Sequence, residues 1–280
     1  MKNMKVNYHT HCFYCDGKGD PELYVKEAIE RGFSSLGFSS HAPLNEANDW
    51  TIQDGDLEKY FDRITELKIK YANVIKIYLG LEIDYYPNEN RFEKFKKYNL
   101  DYSIGSVHMV KPQGYSNYFS VDASVIDFKK ILEDVYSNNI ENFGRDYYKA
   151  LRDMIVQGGF NILGHLDLFK KFNRDNRFFK ESDKWYKEEI SECLNLLETR
   201  DIIVEVNTGA IARGVQDTPY PSQWIIEECY NRGIKICLNS DAHNHVNIDF
   251  YFSEALEIIK KSGYKELHTP FEILDLRGLV

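Results

Sequence analysis

Tyr8-His9-Thr10-His11-Cys12-Phe13-Tyr14-Cys15-Asp16-Gly17 is the stretch from which the rest of the chain is best read. Side chains alternate along an extended backbone, so His9 and His11 point the same way and both imidazoles can reach one metal ion. Asp16 follows on a turn, where its carboxylate can swing back toward the same place. An H-x-H pair alone says little, because paired histidines occur on many exposed strands. Its weight comes from what recurs further along.

The strand Lys5 to Tyr8 delivers this stretch, and Asp20-Pro21-Glu22 then opens a helix with an N-cap oxygen, a proline at the first position and an early acid. Gly32 stops that helix, and the strand Ser35 to Ser39 ends at His41. The pattern repeats. Leu57 to Tyr71 reads as an amphipathic helix, and the strand Ile75 to Leu81 ends at Glu82. A short basic helix, about Arg91 to Tyr98, precedes the strand Tyr102 to Val107, which ends at His108. Met109 to Tyr118 is irregular and is expected to form a loop over a site. Helices follow at Ser124 to Tyr136 and Arg145 to Gln157. The strand Asn161 to Gly164 ends at His165, and Ile202 to Val206 leads into Asn207-Thr208-Gly209 between helices at Lys184 to Leu197 and Pro221 to Asn231. Ile234 to Asn239 ends at Asp241 and His243.

Alternating strands and helices, with strands that are apolar on both faces, predict a parallel sheet covered by helices, either a closed barrel or an open doubly wound sheet. The barrel is favoured because about seven strands each deliver a polar or ionisable residue at the C-terminal end. A barrel gathers its functional groups from every strand, whereas an open sheet uses the two strands at its switch point. No repeat or low-complexity linker divides the 280 residues, so residues 1–280 are expected to form one domain.

Lysine and arginine total 35 against 44 acids, a net charge of −9, which argues against a broad nucleic-acid or anionic-membrane partner. The five cysteines, odd in number and scattered, fit the reduced thiols of a cytoplasmic protein. The N-terminal residues lack a signal-peptide core, and no apolar run reaches membrane-spanning length. Oligomeric state, a homo-oligomer included, is left open.

Collected, the strand-end groups are His9, His11, Asp16, His41, Glu82, His108, His165, Asp241 and His243, which include six of the eight histidines. Core packing gives no reason to place histidines selectively at the exits of different strands. Imidazole and carboxylate without thiolate suit Zn²⁺, Mn²⁺ or Fe²⁺, and nine such groups exceed the needs of one ion. Two or three ions sharing bridging carboxylates would use them all, an arrangement suited to in-line displacement at phosphorus. Arg213, on the loop after Asn207-Thr208-Gly209, with Lys170 and Lys171 after His165, is a candidate phosphate clamp. Cys12-Phe13-Tyr14-Cys15 has C-x-x-C spacing but no second cysteine pair to close a zinc site. His245 and His268 read as loop, strand or surface residues. Tyr115 or Tyr118 could lean on a substrate ring.

His9-Thr10-His11 with Asp16-Gly17, Gly37-Phe38-Ser39-Ser40-His41, Gly80-Leu81-Glu82, Gly105-Ser106-Val107-His108, Gly164-His165-Leu166-Asp167 and Ser240-Asp241-Ala242-His243 together resemble the polymerase-and-histidinol-phosphatase (PHP) family. Within it the chain looks like the histidinol-phosphate phosphatase branch. The resemblance implies a distorted (β/α)7 TIM-like barrel holding three divalent ions, zinc, manganese or iron. It implies His9, His11, Glu82 and Asp241 on one ion, Asp16, His41 and His243 on a second, and Glu82, His108 and His165 on a third, with Glu82 bridging. The function so implied is hydrolysis of a small phosphate ester, L-histidinol phosphate, in histidine biosynthesis. A bridging hydroxide would attack phosphorus, with His9, His11, Glu82, Asp241 and His243 as the catalytic core and Arg213 on the equatorial oxygens. Two departures stand out. Many relatives carry histidine where Asp16 stands, and many carry aspartate where this chain has Ser40, so a carboxylate behind the ligands must come from elsewhere.

Three other readings remain. A relative of the same family could act on nucleotides, nucleic-acid ends or phosphotyrosine. A barrel amidohydrolase predicts a bridging lysine at a middle strand exit, and none is so placed. A metal-storage or interaction module would release no phosphate.

Overall fold

The computed structural model describes residues 5–46, 48–53 and 55–278. Seven parallel strands form one sheet in the order β1 (Lys5–Asn7), β2 (Phe33–Phe38), β3 (Lys76–Asp84), β4 (Tyr102–Ser106), β7 (Ile162–Leu163), β8 (Ile203–Asn207) and β9 (Ile236–Asn239). The gaps in numbering belong to two antiparallel ribbons, β5 (Met109–Val110) with β6 (Phe119–Ser120) and β10 (Glu266–His268) with β11 (Ile273–Asp275).

The sheet curls until its edge strands meet. Between β1 and β9 there is no regular ladder. Instead the Tyr8 amide donates to Asn239 Oδ1 at 2.8 Å and the His11 amide to the Ala242 carbonyl at 2.9 Å. Thr10 and Ala242 form an isolated parallel bridge. The result is a nearly closed seven-stranded barrel in a single domain, as the strand-end pattern anticipates.

Helices α1 (Pro21–Glu30), α2 (Leu57–Lys70), α3 (Arg91–Lys96), α4 (Val125–Asp134), α5 (Ile140–Gln157), α6 (Lys184–Leu197), α7 (Gly209–Ala212), α8 (Gln223–Asn231) and α9 (Phe252–Lys261) complete the fold. Asp20 caps α1 as expected, accepting from the Glu22 amide at 2.8 Å. In α2, Tyr60, Ile64 and Leu67 form the buried stripe.

Along the inward face of β3, period two gives Tyr78, Gly80, Glu82 and Asp84, and β4 continues with Tyr102, Ile104 and Ser106 toward His108. The lower interior is aromatic. Tyr78 stacks on Phe271 with centroids 3.7 Å apart, and Tyr8 meets Tyr102 edge-on at 5.8 Å. Gly80 makes room for this layer, since a Cβ there would lie 2.6 Å from the Tyr102 ring.

Two expectations need correction. Glu82 does not end β3. The strand runs on to Asp84, because Ile83 and Asp84 still pair with Gly105 and Ser106 of β4. Helix α5 begins at Ile140 rather than Arg145, because the Asn139 side chain accepts from the Asn142 amide at 3.0 Å and starts the helix earlier.

Candidate functional site

At the C-terminal mouth of the barrel, the carboxylate of Glu82 is buried among five imidazoles. Its Oε2 lies 3.1 Å from His9 Nε2, 3.4 Å from His11 Nε2 and 3.0 Å from His41 Nδ1. Its Oε1 lies 3.0 Å from His165 Nε2 and 3.8 Å from His108 Nε2, and it accepts from Ser106 Oγ at 2.6 Å. Asp241 Oδ1 lies 3.2 Å from His11 Nε2 and 3.6 Å from His9 Nε2. Asp16 faces the sixth imidazole, its Oδ2 lying 3.2 Å from His243 Nε2. All nine strand-end residues therefore converge on one site.

The charges respond to one another. Burial opposes protonation of His9, yet Glu205, Glu82 and Asp241 raise its pKa well above the ordinary value. Burial and then the neighbouring His243 and His41 depress His11 to about 3. Burial also opposes the charge on Glu82, but His9 and His41 hold its pKa well below the ordinary range. For His108, burial opposes protonation and Asp84 outweighs it, bringing the pKa up to about 10.

These residues fit divalent cations. Buried nitrogens are normally hydrogen-bonded, yet His9 Nε2, His11 Nε2, His41 Nδ1 and His165 Nδ1 have no hydrogen-bond partner among the described residues. The first three of them face carboxylate oxygens, in an oxygen and nitrogen donor set free of thiolate. Three groups have donor atoms mutually within 4.8 Å, namely His9, His11 and Asp241; His11, Asp16, His41 and His243; and His41, Glu82 and His108. Compared with the expected sets, the first lacks Glu82, the second gains His11, and in the third His41 stands where His165 was expected. His165 reaches the third group through Glu82 Oε1.

A cavity of about 460 Å³ opens above the cluster, and Lys171, Arg213, Asp49, Trp50 and Asp122 line its sides. Arg213 donates through Nη2 to Asp241 Oδ2 at 3.0 Å and through Nη1 to the Asp241 carbonyl at 3.1 Å. Lys171 donates to Asp122 Oδ2 at 2.9 Å. Lys170, expected as a third phosphate contact, does not reach the cavity. It is buried behind it, 3.2 Å from Asp167 Oδ2 and donating to the Pro219 carbonyl and to Ser222 Oγ. Of the irregular stretch Met109 to Tyr118 only Met109 lines the cavity, joined by Ser120 just beyond it, and Tyr115 and Tyr118 are not among the lining residues.

Several site residues escape a reading of the sequence. Asp84 receives His108 Nδ1 at 2.6 Å and Glu205 receives His9 Nδ1 at 2.6 Å, supplying the carboxylates that Ser40 does not. Both carried a usable signal. Asp84 shares a face with Glu82 two residues before it, and Glu205 is a lone acid inside the apolar strand Ile203-Val204-Glu205-Val206. Asp49, Trp50 and Asp122 lie in irregular segments, where no periodicity marks them.

Comparison with known proteins agrees with this architecture. The family description "PHP domain" matches residues 7–209. A protein of Schizosaccharomyces pombe named "Probable histidinol-phosphatase" is 30% identical over 94% of this chain and 89% of its own length. The histidinol-phosphatase of Bacillus subtilis is 28% identical over 90% of this chain and 98% of its own length. Among solved structures, the histidinol phosphate phosphatase of Lactococcus lactis, described as complexed with zinc, L-histidinol and phosphate, aligns with a TM-score of 0.71 at 23% identity, covering 96% of this chain and 98% of that one.

Proposed function

We propose, from the premise that this chain belongs to the PHP domain family, that it is a metal-dependent phosphomonoesterase converting L-histidinol phosphate to L-histidinol and phosphate. The whole chain, 1–280, serves this one activity. The observation that carries the reading is Glu82, a buried carboxylate set among five imidazoles beneath a cavity that also holds Arg213 and Lys171. The named activity of the Schizosaccharomyces and Bacillus relatives supports the choice of ester, and the zinc of the Lactococcus complex supports the choice of metal.

His9, His11, Glu82 and Asp241 would hold one ion, Asp16, His41 and His243 a second, and Glu82, His108 and His165 a third. Such ions acidify water to a nucleophile at neutral pH and neutralise the charge that builds on phosphoryl oxygens. The chain's own contribution is to bind and orient. Arg213 grips two phosphoryl oxygens with its planar fork, and Lys171 adds a point charge. Both cations are already balanced, by Asp241 and Asp122, so the incoming phosphate exchanges one anionic partner for another. Asp49 and Asp122 on the cavity wall suit the cationic amine of histidinol and disfavour a nucleic-acid backbone.

Phosphate release from histidinol phosphate by zinc- or manganese-loaded protein tests this directly. Release should disappear with a chelator and in His11→Ala, and should exceed release from nucleoside monophosphates and phosphotyrosine. No release under metal-replete conditions overturns the reading.

A further inference from the structure

We infer that Glu205 is a positioning residue that couples two parts of the metal site, one buried carboxylate fixing both the ring of His9 and the backbone of His165. The inference rests on the metal-centred reading above and adds a residue outside the proposed ligand sets.

The carboxylate of Glu205 is fully buried in the middle of β8 and accepts four hydrogen bonds from four parts of the chain. Oε1 accepts from His9 Nδ1 at 2.6 Å and from Asn239 Nδ2 at 3.0 Å. Oε2 accepts from Asn207 Nδ2 at 2.9 Å and from the His165 amide at 3.1 Å. Two lone pairs on each oxygen are thereby filled, and only an ionised carboxylate offers four acceptor sites and no donor. The amide orientations are set independently. Asn239 Oδ1 accepts from the Tyr8 amide at 2.8 Å and Asn207 Oδ1 from the Gly209 amide at 2.9 Å, which turns both NH₂ groups toward Glu205.

Two consequences follow on opposite sides of Glu82. A proton is held on His9 Nδ1, so Nε2, which has no hydrogen-bond partner, is presented to Glu82 Oε2 and Asp241 Oδ1. His165 has φ +23°, a backbone conformation that L residues rarely adopt, and its amide is anchored on Glu205 while its Nε2 meets Glu82 Oε1 at 3.0 Å. By contrast, the other supporting carboxylate, Asp84, stands behind His108 alone among the six imidazoles.

The test is zinc binding to the full chain by chelator competition, comparing wild type with Glu205→Gln and Asp84→Asn. Glutamine would turn an NH₂ toward two of the four donors. For Glu205→Gln, the ions beside His9 and His165 should weaken about ten- to a hundredfold, while the ion among Asp16, His41 and His243 is retained. Asp84→Asn should weaken only the ion beside His108. Unchanged zinc affinity in Glu205→Gln, or an equal loss at every position, overturns the inference, because a purely structural role gives the latter. Should Glu205→Gln fail to fold, nitrogen-15 NMR of zinc-loaded wild type decides, since His9 must carry a protected proton on Nδ1 and a proton on Nε2 instead refutes the assignment. A wild type that binds neither zinc nor manganese takes the proposed function down with it, whereas a normal wild type beside a normal Glu205→Gln removes only this inference.

Discussion

The lower and upper halves of the barrel interior are built by the same strands and obey opposite rules. Below, Tyr8, Tyr78, Tyr102 and Phe271 pack ring against ring and their buried hydroxyls are paired, Tyr102 with the Tyr8 carbonyl and Tyr8 with Ser35 Oγ at 2.9 Å. Above, His9, His11, His41, Glu82, His108, His165 and Asp241 are buried but ionisable, and four imidazole nitrogens have no hydrogen-bond partner among the described residues. A buried polar atom without a partner costs about 1–3 kcal/mol. The contrast teaches that the aromatic layer is satisfied from within, whereas three of the four imidazole nitrogens face carboxylate oxygens without a hydrogen bond, so bound cations would add stability to the upper layer.

Four experiments probe that division. Glu82→Ala carries the largest expected effect, a loss of phosphatase activity of about a thousandfold or more, because two of the proposed ion positions would lose their shared ligand. Metal analysis checks it, and full metal occupancy in that variant would erase the distinction between the layers. Gly80→Ala strikes the lower layer one step along the same face of β3. Overpacking against Tyr102 should cost about 1–3 kcal/mol in denaturant unfolding, with zinc stoichiometry unchanged in the folded fraction. Arg213→Ala removes a cation above the cluster and should raise KM about tenfold while leaving the metals bound, as steady-state kinetics with metal analysis would reveal.

The smallest effect is a pH dependence. His108 has a folded-state pKa raised to about 10, against about 6.5 for an unfolded histidine. Its contribution to the metal-free fold is therefore complete below about pH 6.5 and is lost as pH climbs toward 10. The Tm of metal-free protein should drop a few degrees across that window. Zinc-loaded protein, with the Nε2 proton of His108 displaced, should show no matching decline.

Much of the upper layer was legible because its residues come as short motifs at strand exits, where period two and barrel geometry leave few places to go. His41, His108, His165 and Asp241 each follow an apolar strand in the sequence and each reaches the mouth. Less legible was anything set by a partner distant along the chain. Lys170 and Lys171 are adjacent and look interchangeable, yet Asp167 and Ser222 draw one inward while Asp122 draws the other to the cavity wall. The lower aromatic layer was equally obscure, because twenty tyrosines and seventeen phenylalanines offer no hint of which four rings, Tyr8, Tyr78, Tyr102 and Phe271, share the barrel floor. A helix start is hidden from periodicity where an asparagine rather than an apolar residue decides the first turn, as at Asn139.

The seam that joins the Tyr8 amide to Asn239 ties together residues 231 positions apart. His9 and Asp241 flank that suture, so a ribosome must release everything through Asp241 before the first proposed ion can find its complete set of donors. Cation uptake then becomes a late event of biogenesis that reports on finished topology, and a chain truncated before β9 would carry most of the imidazoles without the pocket that makes them selective.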